Sequence, residues 1–144
     1  MILLDVNILL YAYDEGSSHY REVQPWLAAL LNGPEDIGVP WLTFWAFVRI
    51  STNSRISETP LEPRVAIRTL QDLLAWPRVR IIEPGLHHIR ILEDMVVEGQ
   101  AAGPRVTGAA LAALAIEHGA TLASTDRDFS RFPNLRWINP LSPS

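Results

Sequence analysis

Ile2-Leu3-Leu4-Asp5-Val6-Asn7 is the stretch that decides the fold. Its three branched apolar residues suit a short strand with both faces buried, as in a parallel sheet. An acidic residue follows where such a strand should end. In open α/β sheets ligands bind outside the carboxyl ends of the strands, so Asp5 is placed for chemistry. Ala120-Thr121-Leu122-Ala123 repeats the arrangement, followed by Ser124-Thr125-Asp126-Arg127-Asp128-Phe129. If the two strands are parallel neighbours, Asp5, Asp126 and Asp128 converge on one edge of the sheet. Crowded carboxylates repel one another, so a divalent cation is their natural occupant.

Composition narrows the rest. At 144 residues the chain is expected to be one domain, 1–144, with a full core. No apolar run approaches the roughly 20 residues of a membrane span. The N-terminus enters a strand directly, so no leader is expected. With no cysteine, thiol catalysis and thiolate metal sites are excluded, and a reducing cytoplasm is compatible. The net charge of −4 means that any nucleic-acid contact must come from a local patch. All twelve basic residues are arginine, which rules out a Schiff base, a P-loop lysine or any catalytic lysine.

Along the chain, Asn7 to Tyr13 can form a short helix, with Asn7 placed to cap it. Ser18 to Leu31 is a second helix, with a break or kink expected at Pro25. Ile37 to Val39 is a strand. Pro40 suits the start of a helix over Trp41 to Ile50, which is nearly all apolar and so expected to be fully buried or packed against another subunit. Pro63 to Trp76 is an amphipathic helix, Val79 to Ile82 a strand, and Leu86 to Glu98 a helix stopped by Gly99. Thr107 could cap a helix over Ala109 to His118. Strands follow at 120–123 and Leu135 to Ile138, and the Asn139–Ser144 tail is expected to fray. Strands alternating with helices predict an α/β protein, a three-layer α/β/α sandwich with a mostly parallel central sheet.

Mg²⁺ and Mn²⁺ want oxygen ligands and leave room for a phosphate beside one or two carboxylates. Such a site can polarise a phosphodiester and activate a water. Aspartates near strand ends also serve as helix caps and turn formers, so spacing alone leaves both roles open.

Several segments together sharpen the choice. Leu4-Asp5-Val6-Asn7-Ile8-Leu9-Leu10-Tyr11-Ala12, Leu111 through Ala120, and Ser124-Thr125-Asp126-Arg127-Asp128-Phe129 resemble a PIN-domain toxin of the VapC family. Trp41 through Arg49 and Phe132 through Trp137 resemble a branch of it common in mycobacteria and other bacteria. The resemblance covers nearly the whole chain, in order. It implies a PIN-like fold and a metal-dependent endoribonuclease using Mg²⁺ or Mn²⁺ to cut a structured RNA, often tRNA or rRNA. It also implies a homodimer and a cognate VapB-like antitoxin that occupies the active-site groove. Asp5, Asp126 and Asp128 are then the catalytic metal ligands.

Two positions depart from the family pattern. Many PIN domains carry glutamate where Ala46 stands, a residue this branch often lacks. The family usually has a metal-site aspartate where Gly108 stands. Glu93 and Asp94 are the nearby acids that could substitute by sequence, and weakened or absent nuclease activity on a retained fold is expected. A catalytically impaired module that binds antitoxin or RNA is the alternative. Phosphoryl transfer to Asp5, as in haloacid-dehalogenase-like phosphatases or receiver domains, is disfavoured because both usually employ a lysine.

Supporting residues each carry two readings. Asn7 could orient Asp5 or a metal-bound water, or cap a helix. Thr125 could bond a carboxylate or phosphate, or serve a turn. Arg127 could hold RNA phosphate or neutralise its acidic neighbours. Arg49 is either an RNA contact or a buried ion-pair partner. Trp41 and Trp45 are expected in the core or a subunit interface, with RNA stacking the lesser reading.

Overall fold

The computed structural model describes residues 1–142. In chain order the elements are β1 (Ile2–Leu4), α1 (Val6–Ala12), α2 (Tyr20–Leu31), β2 (Ile37–Pro40), α3 (Trp41–Ser51), α4 (Pro63–Leu74), β3 (Val79–Ile82) and α5 (His88–Glu98). A 3₁₀ turn (Gly103–Arg105) leads into α6 (Val106–Glu117), then β4 (Thr121–Ala123), a 3₁₀ segment (Arg127–Arg131) and β5 (Trp137–Ile138). The strands form one all-parallel sheet in the order β3-β2-β1-β4-β5. The chain winds outward from β1 through β2 to β3, then crosses to β4 on the other side of β1. The switch point of the topology therefore lies between β1 and β4.

Alternation along the strands assigns the layers. Leu4 and Ala123 pack on one face against α1, α2, α3 and α4. Leu3 and Leu122 pack on the other against α5 and α6. Because both faces are covered, β1 reads as an unbroken apolar run, and the expected α/β/α sandwich is realised. Alanine-rich α6 buries Ala109, Leu111, Ala112, Ala113, Leu114 and Ala115, which lets its backbone lie close to the sheet.

Several element boundaries differ from expectation. Asp5, rather than Asn7, caps α1. Helix α2 runs unbroken through Pro25, whose ring is exposed while Val23 and Leu27 hold the inner face. Pro40 ends β2, paired with Ile82, and also caps α3. Helix α3 is not wholly buried: Thr43, Phe44 and Phe47 point inward while Trp45 is 68% exposed. Helix α6 begins at Val106 because the 3₁₀ turn runs straight into it, so Thr107 lies inside the helix and does not cap it.

Strand β5 is limited to Trp137–Ile138. Beyond it the chain stays tied down as far as Ser142, whose N–H donates to the Asn139 carbonyl at 3.0 Å. Leu141 packs against the core on the α1 side. The fraying expected of the tail is thus not seen over 139–142, and its remainder, 143–144, lies outside the described residues.

Candidate active site

The β1–β4 ladder continues one step past the strands, where the Asp5 N–H donates to the Ala123 carbonyl at 3.0 Å. Leu4 is paired with Ala123, so the next residues, Asp5 and Ser124, face each other across the switch point. Asp5 turns the chain into α1, one carboxylate oxygen accepting from the Val6 N–H at 2.7 Å. Its other oxygen accepts from Ser124 Oγ at 2.7 Å and Asn7 Nδ2 at 3.1 Å.

Ser124 is fully buried and joins the acidic groups. Its hydroxyl oxygen also accepts from Asn7 Nδ2 at 3.0 Å and from the Asp126 N–H at 3.1 Å. Asn7 Oδ1 accepts from the Thr125 N–H at 3.1 Å, so Asn7 fastens the turn after β4 to the start of α1. Trp137 Nε1 holds the Ser124 carbonyl at 3.0 Å from β5. Asn7 therefore orients Asp5, and Thr125 contributes its backbone N–H. Sequence reasoning gave Ser124 no role. Its signal was a hydroxyl directly after an apolar strand, one register step from the Leu4 pairing.

Burial pushes the Asp5 carboxyl above its ordinary value, and the negative Asp126 adds to the rise. Hydrogen bonds from Ser124, Val6 and Asn7 offset this only in part. A cation beside it would favour the charged form.

Asp5 and Asp126 line one groove of about 450 Å³, with Asn7, Ala46, Arg49, Thr107 and Gly108 also in its walls. Asp128, expected to converge with both, does not line that groove. It lines a smaller cleft next door, of about 160 Å³, that Asp126 and Gly108 also line. Arg131 grips one of its oxygens at 2.8 and 3.0 Å, and Arg105 Nε stands 3.6 Å from the other. The cause is the 3₁₀ geometry of Arg127–Arg131: with three residues per turn Asp128 eclipses Arg131, while Asp126 caps the segment, its Oδ1 accepting from the Asp128 N–H at 2.9 Å. Among the described residues, no three Asp, Glu, His or Cys side chains form a metal-holding group.

The remaining predicted residues sort cleanly. Arg49 is exposed and lines the groove, so it is not a buried ion-pair partner. Arg127 is exposed and stands outside the groove lining. Glu93 and Asp94 are exposed on α5 and line neither cleft, so neither supplies the missing acid. Ala46 presents a methyl group to the groove wall. A Cβ added at Gly108 would meet the Phe129 and Phe132 rings at 3.8–3.9 Å, ordinary contact distance. A larger cavity of about 590 Å³ between α1 and the end of α3 shares Ile50 with the groove. No strand end opens into that cavity, whereas Asp5, directly after β1, lines the smaller groove.

The PIN domain model matches residues 2–135. The chain is 37% identical over 140 residues to ribonuclease VapC37 of Mycobacterium tuberculosis, covering 97% of each chain. It is 36% identical over 140 residues to ribonuclease VapC31 of the same species, covering 97% of this chain and 99% of that one. Among solved structures, VapBC2 from Rickettsia felis, bound to a DNA fragment from its promoter, superimposes with a TM-score of 0.71 at 22% identity, over 96% of this chain and 98% of that chain. At such identity over nearly its whole length, with the paired aspartates at the switch point of the sheet, the chain belongs to the VapC family of PIN-domain proteins.

Proposed function

We propose that this chain, as one PIN domain spanning residues 1–144, is a metal-dependent endoribonuclease, the cytoplasmic toxin of a toxin–antitoxin pair. The observation that carries this is the meeting of Asp5 and Asp126 in one groove at the carboxyl ends of β1 and β4. The relatives named as ribonucleases support RNA as substrate, and the family resemblance extends this to RNA of the tRNA or rRNA class. The VapBC structures support a VapB-like antitoxin as partner. The family resemblance extends this to a homodimer.

The donors fit Mg²⁺ or Mn²⁺, since both groups are carboxylates and an ion of this kind keeps several waters. Asp5 and Asp126 would hold it; Asp128 would join only by leaving Arg131. When bound, such an ion polarises a phosphodiester and lowers the pKa of a water. The protein's own part is positional. Ser124 and Asn7 fix the Asp5 carboxylate, Ser124 also holds the Asp126 backbone, and Arg49 offers a guanidinium fork to a phosphate on the groove wall.

Gly108 leaves the groove one carboxylate short, so cleavage is weakened. The same residue favours a second reading, a binding module that holds antitoxin or RNA without cutting. Comparing the parent with G108D, each free of antitoxin, on total RNA with Mg²⁺ or Mn²⁺ decides between them. A Cβ at this position meets its neighbours at ordinary contact distance, so the variant is expected to fold and to cut faster. If neither protein cuts any RNA yet both bind antitoxin, the enzyme reading fails and the binding module stands.

A further inference from the structure

Trp41, Trp45 and Arg49 follow at four-residue intervals along α3 and so form one stripe on its surface. The other aromatic residues of the helix, Phe44 and Phe47, are 4% and 1% exposed, whereas Trp41 and Trp45 are 40% and 68% exposed. The two indoles lie nearly parallel, with 21° between their planes and centroids 6.5 Å apart. Trp41 is held from behind, its Nε1 donating to Glu83 at 3.1 Å and its ring leaning on Phe44 at 5.6 Å. Trp45 and Arg49 line the same groove as Asp5 and Asp126.

Building on the ribonuclease reading, we propose that Trp45, backed by Trp41, is a stacking platform for an unpaired base of the RNA. The neighbouring phosphates then reach Arg49 and the carboxylate pair. An indole face accepts any base, because every base has a π-face. A base stacked and paired inside an A-form duplex has no face free, so the substrate must present a single-stranded or splayed-out nucleotide here. The groove, about 450 Å³, falls in the size range of sites that enclose small ligands. Charge argues against an apolar protein face as occupant. Covering Trp45 that way would also bring the exposed Arg49 and Asp126 out of water without matched partners, which is costly. A nucleotide satisfies the indole and the guanidinium together. Trp45 is on this view a positioning and specificity residue for the substrate.

The test is binding, in EDTA so that nothing is cut, of fluorescein-labelled oligouridylate and of an A–U duplex, read by anisotropy across a salt series. The parent should prefer the single strand. W45A and W45L should weaken single-strand binding by about 5- to 150-fold, the range a base–aromatic stack carries, with W45F retaining most of the affinity. The salt dependence should be unchanged in the Trp45 variants, whereas R49Q should lower its slope by about 0.7, the value for one phosphate contact on a single strand. Mass measured by light scattering should be the same for parent and variants. The proposal is overturned if W45L binds like the parent, if the duplex binds as well as the single strand, or if loss of affinity coincides with halving of the mass. That last result would make the stripe a subunit interface. Because no cleavage is read, failure here is separable from failure of the nuclease reading, which the G108D comparison reports.

Discussion

Replacing Ser124 with alanine tests whether the site is wired as the geometry indicates. The hydroxyl is fully buried and serves three groups: it donates to Asp5 at 2.7 Å and accepts from Asn7 at 3.0 Å and the Asp126 N–H at 3.1 Å. A hydrogen bond to a charged group carries about 1.5–3 kcal/mol, and a buried donor left without a partner costs a further 1–3 kcal/mol or so. Asn7 keeps its bond to Asp5 at 3.1 Å, and the Asp126 N–H is partly reached by water, so the lower half of that sum applies. The expected loss in S124A is about 2.5–4 kcal/mol, or a melting temperature lower by roughly 5–16 °C. Ser124 also holds the Asp5 carboxyl down, so its removal raises the Asp5 pKa further. The charged carboxylate is the partner that loses most. The destabilisation should therefore be largest at neutral pH and shrink on acidification toward the ordinary aspartate value of 3.8, where Asp5 is protonated with or without Ser124. Thermal melts of parent and variant in EDTA, followed by circular dichroism across that pH range, measure both effects. A neutral-pH loss under about 0.5 kcal/mol, typical of an unengaged surface position, refutes the wiring. So does a loss that does not change with pH.

Two further substitutions separate the aspartates. In the native state the Asp5 pKa lies above 3.8, mainly through burial, so this group's contribution to stability is full below 3.8 and is lost as pH rises through the raised value. D5N should therefore melt above the parent at neutral pH in EDTA, with the gain vanishing in acid, and should abolish RNA cleavage in the G108D background; a melting point no higher than the parent's at neutral pH would sink this account. D128N should lose the exposed ion pairs to Arg131 and Arg105, together about 0.5–1 kcal/mol by melting, and should keep cleavage within about tenfold. D126N should cost roughly a hundredfold or more in the same background, and equal losses in the two variants would return Asp128 to the metal set.

The framework was legible because it follows from one-dimensional pattern. Apolar runs ending in acid at Asp5 and Asp126, separated by helical stretches, are enough to place both groups at the carboxyl ends of parallel strands. Features that depend on rotation about the chain were not legible. Asp5 and Asn7 are both good caps, and only the turn after β1 decides that Asp5 takes the Val6 N–H and leaves Asn7 free to bridge to Thr125. Their place after β4 suggests that Asp126 and Asp128 both reach the sheet edge beside Asp5, but the segment is a 3₁₀ turn in which Asp126 caps and Asp128 faces Arg131. Apolar composition likewise could not say which aromatic residues of α3 meet the core.

Ser124 shows what register adds to pattern. Its hydroxyl matters because Leu4 pairs with Ala123, which sets the two following residues opposite each other. A slip of one residue in that pairing would send the hydroxyl to the other face and leave Asp5 buried beside apolar atoms. The register is held by side chains remote from the chemistry: Leu3 and Leu122 under α6, Leu4 and Ala123 under α1. The carboxylate pair is thus positioned by the core. Ser124 and Asn7 then set the orientation of Asp5, and what remains to the surface is the choice of substrate. That division explains how Gly108 can stand at a site position without disturbing the fold. A Cβ there would meet the Phe129 and Phe132 rings at ordinary contact distance, so packing at that point does not by itself demand glycine.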